Sequence, residues 1–373
     1  EAQKEAFVYK TALFSNISTT PLVTNGVNTA ADLSNPAYNY FSSGRYPFMM
    51  TADVNLDGVT KTVRFVLLHA KANTSPTTTS YARRKAGADT LKYTLNTNYP
   101  NDNILILGDF NDDLDSTITD LIHPRITSYY AFTNDSVTTF TSPTLALSLA
   151  GKKSTVSYND VIDHVMLSNE MQPWYMPSSA TVLSDVSSLV SNYGSTTSDH
   201  YPVFTRYMFC KITPPADITV SNDQGQCGAV VNFDVASTMT CGSVTAVPAS
   251  GSIFPIGTTT VKLTASTGDT SSFKITVNDT ENPVITAPAN ITVNTDAGQC
   301  GTAKENLSLG NASYSDNCSG TSITNDAPSL FPVGTTAVTW TATDASGNTS
   351  TATQQVTVED HELPSITPPS DIT

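Results

Sequence analysis

Charged side chains are scarce in this sequence. They make up 14% of its 373 residues, against about 25% in an average soluble chain. Basic residues are the rarer kind, since 18 Lys and Arg stand against 33 Asp and Glu, for a net charge of −15. This balance argues against passive electrostatic capture of nucleic acid. No apolar run approaches the ~18 residues that a membrane-spanning helix needs, so we expect no membrane span.

Cysteine is also sparse. Its five copies contain no CxxC pair, which argues against a zinc site. Aromatic residues are not lacking, because 15 Tyr and 14 Phe make a disordered chain implausible. The length predicts two to four domains. The sequence begins at Glu1 without a Met or a signal peptide and stops inside an apparent repeat, so we expect a fragment or a processed chain.

Most of the net negative charge lies in one part of the chain. Residues 1–212 hold 15 basic and 18 acidic residues, a net charge of −3, whereas residues 213–373 hold 3 and 15, a net charge of −12. This shift in composition predicts a domain boundary near residue 212. The nearly neutral first part could still bind an anionic substrate through a local patch or a metal ion.

Residues 213–373 contain an internal repeat. Residues 214–228 read PPADITVSNDQGQCG and residues 288–301 read PANITVNTDAGQCG, followed in each copy by FPIGTTTV (254–261) or FPVGTTAV (331–338). Short alternating runs such as SFKITVND predict strands separated by turns. We therefore predict two small β-sandwiches, at 213–282 and 283–363, and the start of a third copy at 364–373.

The repeats also place their cysteines alike. We expect the bridges Cys227–Cys241 and Cys300–Cys318, one in each repeat, which leaves Cys210 over. Such bridges would indicate an oxidising compartment, and hence a secreted or cell-surface protein. The alternative is that these cysteines are reduced structural thiols.

The repeats resemble the hyalin-repeat (HYR) module, an immunoglobulin-like extracellular domain. The resemblance covers roughly residues 213–373 and depends on the DITV…GQC opening, the second cysteine, FPxGTTxV and TATDASGN. It implies a role in adhesion and spacing, with a cell-surface or matrix ligand, and no active site within the repeats.

In residues 1–212, four apolar segments run directly into polar side chains. They are VRFVLLHAK (63–71), NILILGDFND (103–112), VIDHVMLS (161–168) and TSDHYPVFTRY (197–207). Buried strands read as continuous apolar runs, and catalytic groups are often displayed where strands end. The polar residues at these ends are His69, Asp109, Asn111, Asp163, Asp199 and His200.

One such residue alone is more often a turn or capping group, and His164 is expected to be structural, on the opposite face of its strand from Asp163. Several together suit phosphodiester hydrolysis. Carboxylates hold a metal ion that neutralises developing charge, a His paired with an Asp transfers protons, and an amide orients the reacting groups. Hard oxygen ligands favour Mg²⁺, or else Mn²⁺ or Ca²⁺, over zinc.

GDFN, IDHVMLS and SDHYPV, in this order, resemble the endonuclease/exonuclease/phosphatase superfamily, which has the DNase I-like fold. SGRYPFMMTADV (43–54) adds to the resemblance, which covers about residues 1–209. It implies an α+β four-layer sandwich. We expect this sandwich to be incomplete, because nothing here matches the family's first strand and its metal-binding Glu. Residues 82–99 are the best helix candidate.

The resemblance also implies roles for the site residues. His200 corresponds to the general base and Asp163 to the acid that orients it. His69 corresponds to the second catalytic histidine, which assists the phosphoryl group. Asp109 and Asn111 correspond to the pair that positions nucleophile, metal and phosphate.

Three further positions have implied roles. Asp199 corresponds to a metal ligand, together with Asp109. Arg45 corresponds to an arginine that contacts the substrate phosphate. Glu5 corresponds to a second-shell glutamate that pairs with His69.

These expectations lead to three functional hypotheses. The first is a secreted, divalent-metal-dependent phosphodiesterase acting on nucleic acid as an extracellular endonuclease, although the fragment alone could lack activity. The second is an inositol-phosphate or sphingomyelin-type phosphoesterase. The third is an adhesive surface protein whose catalytic domain is inactive.

Overall fold

A computed structural model describes residues 6–23, 40–41, 47–134 and 139–367. The chain divides into two compact units. The first consists of Glu1–Ile212, Ser237–Val244 and Ala265–Asp269, and the second of Thr213–Ala236, Thr245–Thr264 and Thr270–Thr373. Within the part of the chain that is described, no helix is both long and apolar enough to cross a membrane.

The first unit is built on a mixed sheet of six described strands, in the order β1-β2-β3-β4-β6-β5. β3 and β4 are parallel, and β6 runs antiparallel to β4. A separate pair is formed by β7 and β8. The strands up to residue 213 are β1 (Phe14–Pro21), β2 (Phe48–Leu56), β3 (Val59–His69), β4 (Ile104–Asp109), β5 (Phe140–Thr141), β6 (Asp163–Ser168), β7 (Thr181–Val182), β8 (Val203–Phe204) and β9 (Ile212–Thr213).

Both faces of this sheet are apolar. Along β4, Ile104 and Ile106 belong to one buried cluster, while Leu105 belongs to another. Because successive side chains of a strand point to opposite faces, this division places one cluster on each side of the sheet. A strand buried on both faces needs the continuous apolar run ILIL.

One long helix covers the first of these faces. Helix α1 (Thr77–Asn98) begins five residues before the predicted 82–99 and buries Arg84, Ala88, Leu91 and Leu95 in one stripe. This spacing of three or four residues repeats with the helical turn. The remaining helices are short: α2 (Tyr130–Thr133), α3 (Leu145–Leu149), α4 (Val186–Leu189) and α5 (Tyr193–Thr196), with 3₁₀ turns at Gln172–Trp174, Met239–Cys241 and Lys304–Asn306.

The two sequence repeats have the same strand topology. Their four-stranded sheets have the orders β10-β16-β15-β13 and β18-β24-β23-β21, and two-stranded sheets β11-β14 and β19-β22 accompany them. The strands are β10 (Ile218–Ser221), β11 (Gly228–Val231), β12 (Ala236–Ser237), β13 (Val244–Val247), β14 (Ser252–Pro255), β15 (Gly257–Ala265), β16 (Thr270–Asn278), β17 (Val284–Thr286), β18 (Ile291–Asn294), β19 (Gly301–Ala303), β20 (Ser313–Ser315), β21 (Ser322–Asn325), β22 (Leu330–Pro332), β23 (Gly334–Thr343) and β24 (Thr349–Glu359).

Alternation builds the core of the second repeat. Val338 and Trp340 of β23 and Val356 and Val358 of β24 are buried with Phe331, while the residues between them face outward or are half-buried. This period of two is typical of a sheet with one buried face. The predicted fold class, an incomplete α+β sandwich followed by all-β repeats, is confirmed in that a mixed α/β part precedes an all-β part.

The predicted disulfide pairing was wrong. The bridges are Cys210–Cys241 and Cys227–Cys318, and Cys300 is unpaired and exposed. Neither the expected Cys227–Cys241 bridge nor the expected Cys300–Cys318 bridge forms, so the two cysteines of a repeat are not each other's partners.

Local hydrogen bonds account for the observed pairs. Next to the first bridge, the Lys211 amide donates to Thr238 Oγ1 at 2.9 Å. Next to the second bridge, Asn317 Nδ2 donates to the Gln226 carbonyl at 3.1 Å. In each case these bonds bring together the segments that carry the bonded cysteines, so the loops around each cysteine select its partner.

Candidate active site

Three neighbouring strand ends bring three of the predicted site residues side by side. His69, the last residue of β3, is paired in register with Asp109, the last residue of β4. Asp109 is in turn paired with Asp163, the first residue of β6. Because β6 runs opposite to β4, its beginning lies at the edge of the sheet where β3 and β4 end. Residues separated by up to 94 positions in sequence thus share one edge of the sheet.

Gly108 lets β4 lie close to β3 at this edge. Its φ is +136°, and a Cβ placed on it would lie 2.0 Å from the carbonyl oxygen of Leu68. Glycine is the residue that accepts both the positive φ and the close backbone approach. The glycine of the GDFN motif is therefore required by the backbone one residue before Asp109.

The turn after β4 brings Asn111 back onto Asp109. Asn111 has a φ of +51°, in the left-handed region that Asn tolerates better than most residues. Its backbone amide donates to Asp109 Oδ1 and its Nδ2 to Asp109 Oδ2, both at 2.8 Å, and Nδ2 also donates to the Ala70 carbonyl at 3.2 Å. The two side chains therefore meet through a turn.

His200 completes the cluster from a separate segment. Its Nδ1 lies 2.7 Å from Asp163 Oδ2. An isolated β-bridge to Thr155 and a hydrogen bond of 3.0 Å from Tyr193 Oη to the His200 carbonyl position its backbone. The hydrogen bond to Asp163 is the main cause that raises the pKa of His200 to about 9, against a smaller opposing effect of burial.

Asp109 is the carboxyl group most affected by the site. Burial, and after it the negative charge of Asp163, raise the pKa of Asp109 to about 7. One oxygen each of Asp109 and Asp163 and one ring nitrogen of His200 lie within 4.8 Å of one another. Two carboxylates and an imidazole this close together form a donor set that suits a divalent cation, whose positive charge would favour the ionised form of Asp109.

His69 lies beside this cluster. Its Nε2 is 3.6 Å from Asp109 Oδ2, and its side chain is 24% exposed. The ring is thus held next to the carboxylate cluster while part of it remains accessible.

The remaining predicted site residues are not all part of the cluster. Asp199 is 80% exposed, and its Oδ2 lies 4.0 Å from His200 Nε2, at the rim of the site. Arg45 and Glu5 lie outside the described residues. His164, adjacent to Asp163, is buried, and its Nδ1 lies 3.0 Å from Thr144 Oγ1, which agrees with the structural role expected for it.

Sequence reasoning missed Asp112, whose hydrogen bonds hold the segment that follows the GDFN turn. Asp112 is fully buried and accepts hydrogen bonds from Thr117 Oγ1, the Ile118 amide and both the amide and the hydroxyl of Ser128. The buried guanidinium of Arg84 has its Nε 3.9 Å from Asp112 Oδ2.

These two residues hold the segment that carries Asn111 against α1. The sequence contains only two weak indications of this pair. One is a second acid directly after the motif, in GDFND, and the other is an arginine on the apolar stripe of a predicted helix. A buried ion pair between distant segments cannot be read from either signal alone.

Solved structures similar in fold to this chain include members of the endonuclease/exonuclease/phosphatase family. The family member from Beutenbergia cavernae has 13% identity and a TM-score of 0.32, over 92% of this chain and 73% of its own. The human Nocturnin catalytic domain has 17% identity and a TM-score of 0.32, over 52% and 60% of the two chains. At TM-scores this low, the roles of the site residues are inferred only from the distances and hydrogen bonds described above.

The curated relatives are matched over a smaller part of their length. Hyalin of Lytechinus variegatus is 34% identical over 174 residues, which are 43% of this chain and 32% of that protein. Hyalin of Strongylocentrotus purpuratus is 37% identical over 132 residues, which are 32% of this chain and 11% of that protein. The family model of the HYR domain matches residues 278–358. The resemblance noted in the repeats is therefore confirmed, and the chain contains an HYR domain.

Proposed function

We propose that the first unit is a divalent-metal-dependent phosphodiester hydrolase. The observation that supports this proposal best is the arrangement of the His200–Asp163 pair beside Asp109 and Asn111 at one sheet edge. A proton-transfer pair, a carboxylate cluster and an amide are the groups that such a reaction needs.

His200 is the proposed proton-transfer residue. Asp163 holds its Nδ1, so Nε2 is the ring nitrogen that would exchange a proton with the attacking water or the leaving oxygen. His69, on the other side of Asp109, would donate a hydrogen bond to a phosphoryl oxygen. Asn111 keeps the Asp109 carboxylate in one orientation through its two hydrogen bonds.

Asp109 is the residue proposed to hold the metal ion, with Asp163 beside it and Asp199 at the rim. Such an ion would neutralise the charge that develops on the phosphoryl group and would lower the pKa of the neighbouring His200. The donors are hard oxygens, so Mg²⁺ is the proposed ion, and Mn²⁺ and Ca²⁺ are its competitors.

Nucleic acid is the proposed substrate, cleaved as by an extracellular endonuclease. The −12 net charge of residues 213–373 would repel a polyanion, whereas the first part carries only −3. Two disulfides favour an oxidising compartment, and the HYR domain favours an adhesive role for the repeats. In this proposal the repeats tether a secreted or surface-bound nuclease.

Plasmid nicking tests the proposal. The full chain is incubated with supercoiled DNA in Mg²⁺ and in EDTA, together with His200→Ala. The matched control is His361→Ala, because His361 also lies near a carboxylate, with Nε2 3.0 Å from Glu359 Oε2, but at an exposed position outside the site.

Nicking that requires both metal and His200 but tolerates His361→Ala would support the nuclease. A folded chain that nicks no DNA but hydrolyses inositol phosphates or sphingomyelin would keep the site and change the substrate. Hydrolysis of none of these substrates would overturn the proposed activity and leave adhesion as the function.

A further inference from the structure

A second cluster of carboxylates lies in the repeats, apart from the proposed active site. Asp279 follows β16, Asp316 follows β20 and Asp344 follows β23. One oxygen from each lies within 4.8 Å of the other two. All three positions fall within the residues that the HYR family model matches.

Several oxygens here are buried without a partner. Asp279 is only 8% exposed, and its Oδ2 has no hydrogen-bond partner. Asp316 Oδ1 and the amide oxygen of the adjacent Asn317 are also buried atoms without a hydrogen-bond partner. An unpaired buried oxygen is costly, and the cost is larger for a charged one. Three such atoms in one place call for a ligand that accepts electron pairs.

The remaining oxygens of the cluster accept hydrogen bonds that hold it together. Asp344 Oδ1 accepts from the amides of Ser346 and Asn348 at 2.9 and 2.8 Å. Asn317 Nδ2 donates to Asp279 Oδ1 at 3.3 Å. Asn348 Nδ2 donates to the Asp279 carbonyl at 3.2 Å and to Asp344 Oδ2 at 2.8 Å. These contacts hold three separate segments together while Asp279 Oδ2 and Asp316 Oδ1 keep their electron pairs.

Among the described residues, no cation neutralises the cluster. Every hydrogen-bond donor named above is a neutral amide, and over the described ranges none of the three carboxylates has an ion pair within 4.0 Å. Residues 213–373 contain only three basic residues, Lys262, Lys274 and Lys304. Three negative charges grouped this closely repel one another, and a bound cation would offset that repulsion.

We propose that Asp279, Asp316 and Asp344 bind a calcium ion, with the Asn317 amide oxygen as a further ligand. Calcium accepts six to eight oxygen ligands, including carboxylates and amide carbonyls, in flexible geometry. Magnesium usually takes only one or two carboxylates and keeps several waters. A site rich in protein oxygens therefore favours calcium.

The position of the site indicates what the ion would do. Asp279 directly follows the last strand of the first repeat, and Asp316 and Asp344 belong to the second. The Cys227–Cys318 bridge, next to Asn317, joins the same two repeats. In the first repeat, Met239 and Thr240 stand where Asp316 and Asn317 stand in the second. Calcium would thus fasten this particular junction, independently of the catalytic reaction.

Calorimetric titration of the full chain with Ca²⁺, after EDTA treatment and dialysis, tests the site. Asp316→Asn and Asp279→Asn should each weaken one binding event by at least about tenfold. Asp360→Asn is the matched control, because Asp360 directly follows β24 as Asp279 directly follows β16. Its Oδ1 accepts from the Glu362 amide at 3.0 Å, as Asp279 Oδ1 accepts from Glu281 at 3.2 Å. Metal binding at the proposed active site is the same in all variants, so it does not contribute to the differences between their titrations.

Thermal unfolding provides a second test, in which Asp316→Asn should change the melting temperature in opposite directions without and with calcium. In EDTA, Asp316→Asn should melt at a higher temperature than the wild type, since one of three crowded charges is gone. In about 10 mM Ca²⁺ the order should reverse, because ligand binding stabilises the wild type more. A variant that is more stable under both conditions would mean that no calcium ion offsets the repulsion among the three carboxylates. That result, or Ca²⁺ binding unchanged by Asp279→Asn and Asp316→Asn, would overturn the proposal.

Discussion

His200 Nδ1 lies 2.7 Å from Asp163 Oδ2, although the two residues are 37 positions apart in the sequence. The contact depends on two separate supports: Asp163 is set by the register of β6 against β4, and His200 by its bridge to Thr155. The ring can therefore keep one orientation. An imidazole oriented by a carboxylate is suited to move a proton at its other nitrogen.

The substitution Asp163→Asn should remove this support without changing the size of the side chain. Because the hydrogen bond to Asp163 is the main cause of the raised pKa of His200, that pKa should fall from about 9 towards its ordinary value. Hydrolysis of a chromogenic phosphodiester should fall by about 10²–10⁴-fold. NMR titration of the His200 ring reports the pKa even where activity is absent.

Asp185→Asn is the control for this change, since Asp185 is an exposed carboxylate of the same unit. It should leave both the ring titration and hydrolysis unchanged. A His200 pKa that stays near 9 in Asp163→Asn would contradict the role given to the Asp163 hydrogen bond.

The buried Arg84 should be essential for stability. Arg84→Met removes the guanidinium 3.9 Å from Asp112 and leaves a fully buried carboxylate without its cation. Breaking such a pair by removing one partner costs about 3–5 kcal/mol of unfolding free energy. Urea denaturation measures the loss.

Lys85→Met, at the next position of α1, is the comparison. Lys85 forms a half-exposed pair with Asp89 at 2.7 Å, and an exposed helix pair of this kind contributes about 0.3–0.5 kcal/mol. Equal losses in the two variants would show that the Arg84–Asp112 pair has no special role.

The contrast between these two sites shows what the sequence could predict. His69 and Asp109 end apolar runs and Asp163 lies at the start of one, which the motifs show, and the pairing of these strands in one sheet brings the three residues together. Arg84 and Asp112 meet only because α1 packs onto the sheet, which no local pattern encodes. The cysteines gave a wrong prediction because matching positions in two repeats suggested bridges within each repeat, whereas the turns that carry Cys227 and Cys318 meet each other.

Lowering the pH should reduce the stability of the first unit through His164. Burial lowers the pKa of His164 from 6.5 to about 3, only partly offset by hydrogen bonding to the backbone of Val161 and Asp112. Between these two pH values the unfolded chain binds a proton that the folded chain refuses. Stability is therefore full above about pH 6.5 and falls as the pH drops, by at most about 1.4 kcal/mol per pH unit.

Urea unfolding at pH 7 and pH 4.5 tests this expectation, because other groups also titrate and only a difference between variants isolates His164. His164→Gln should reduce the loss of stability between the two pH values relative to the wild type. His123→Gln, at an exposed position, should leave the loss unchanged. A wild-type loss equal to that of His164→Gln would assign the acid sensitivity to other groups.

The disulfide pattern predicts one reactive thiol in the folded, oxidised chain. Cys300 is unpaired and exposed, while Cys210, Cys227, Cys241 and Cys318 are bonded. Iodoacetamide without reductant should therefore modify one cysteine per chain, because alkylation needs an accessible thiol and disulfide sulfurs do not react. Mass spectrometry of the unreduced digest should give a Cys227–Cys318 peptide pair. A Cys227–Cys241 pair, or a Cys300 that resists labelling because it is bonded to Cys318, would restore the within-repeat bridges and refute the pattern that joins the two repeats.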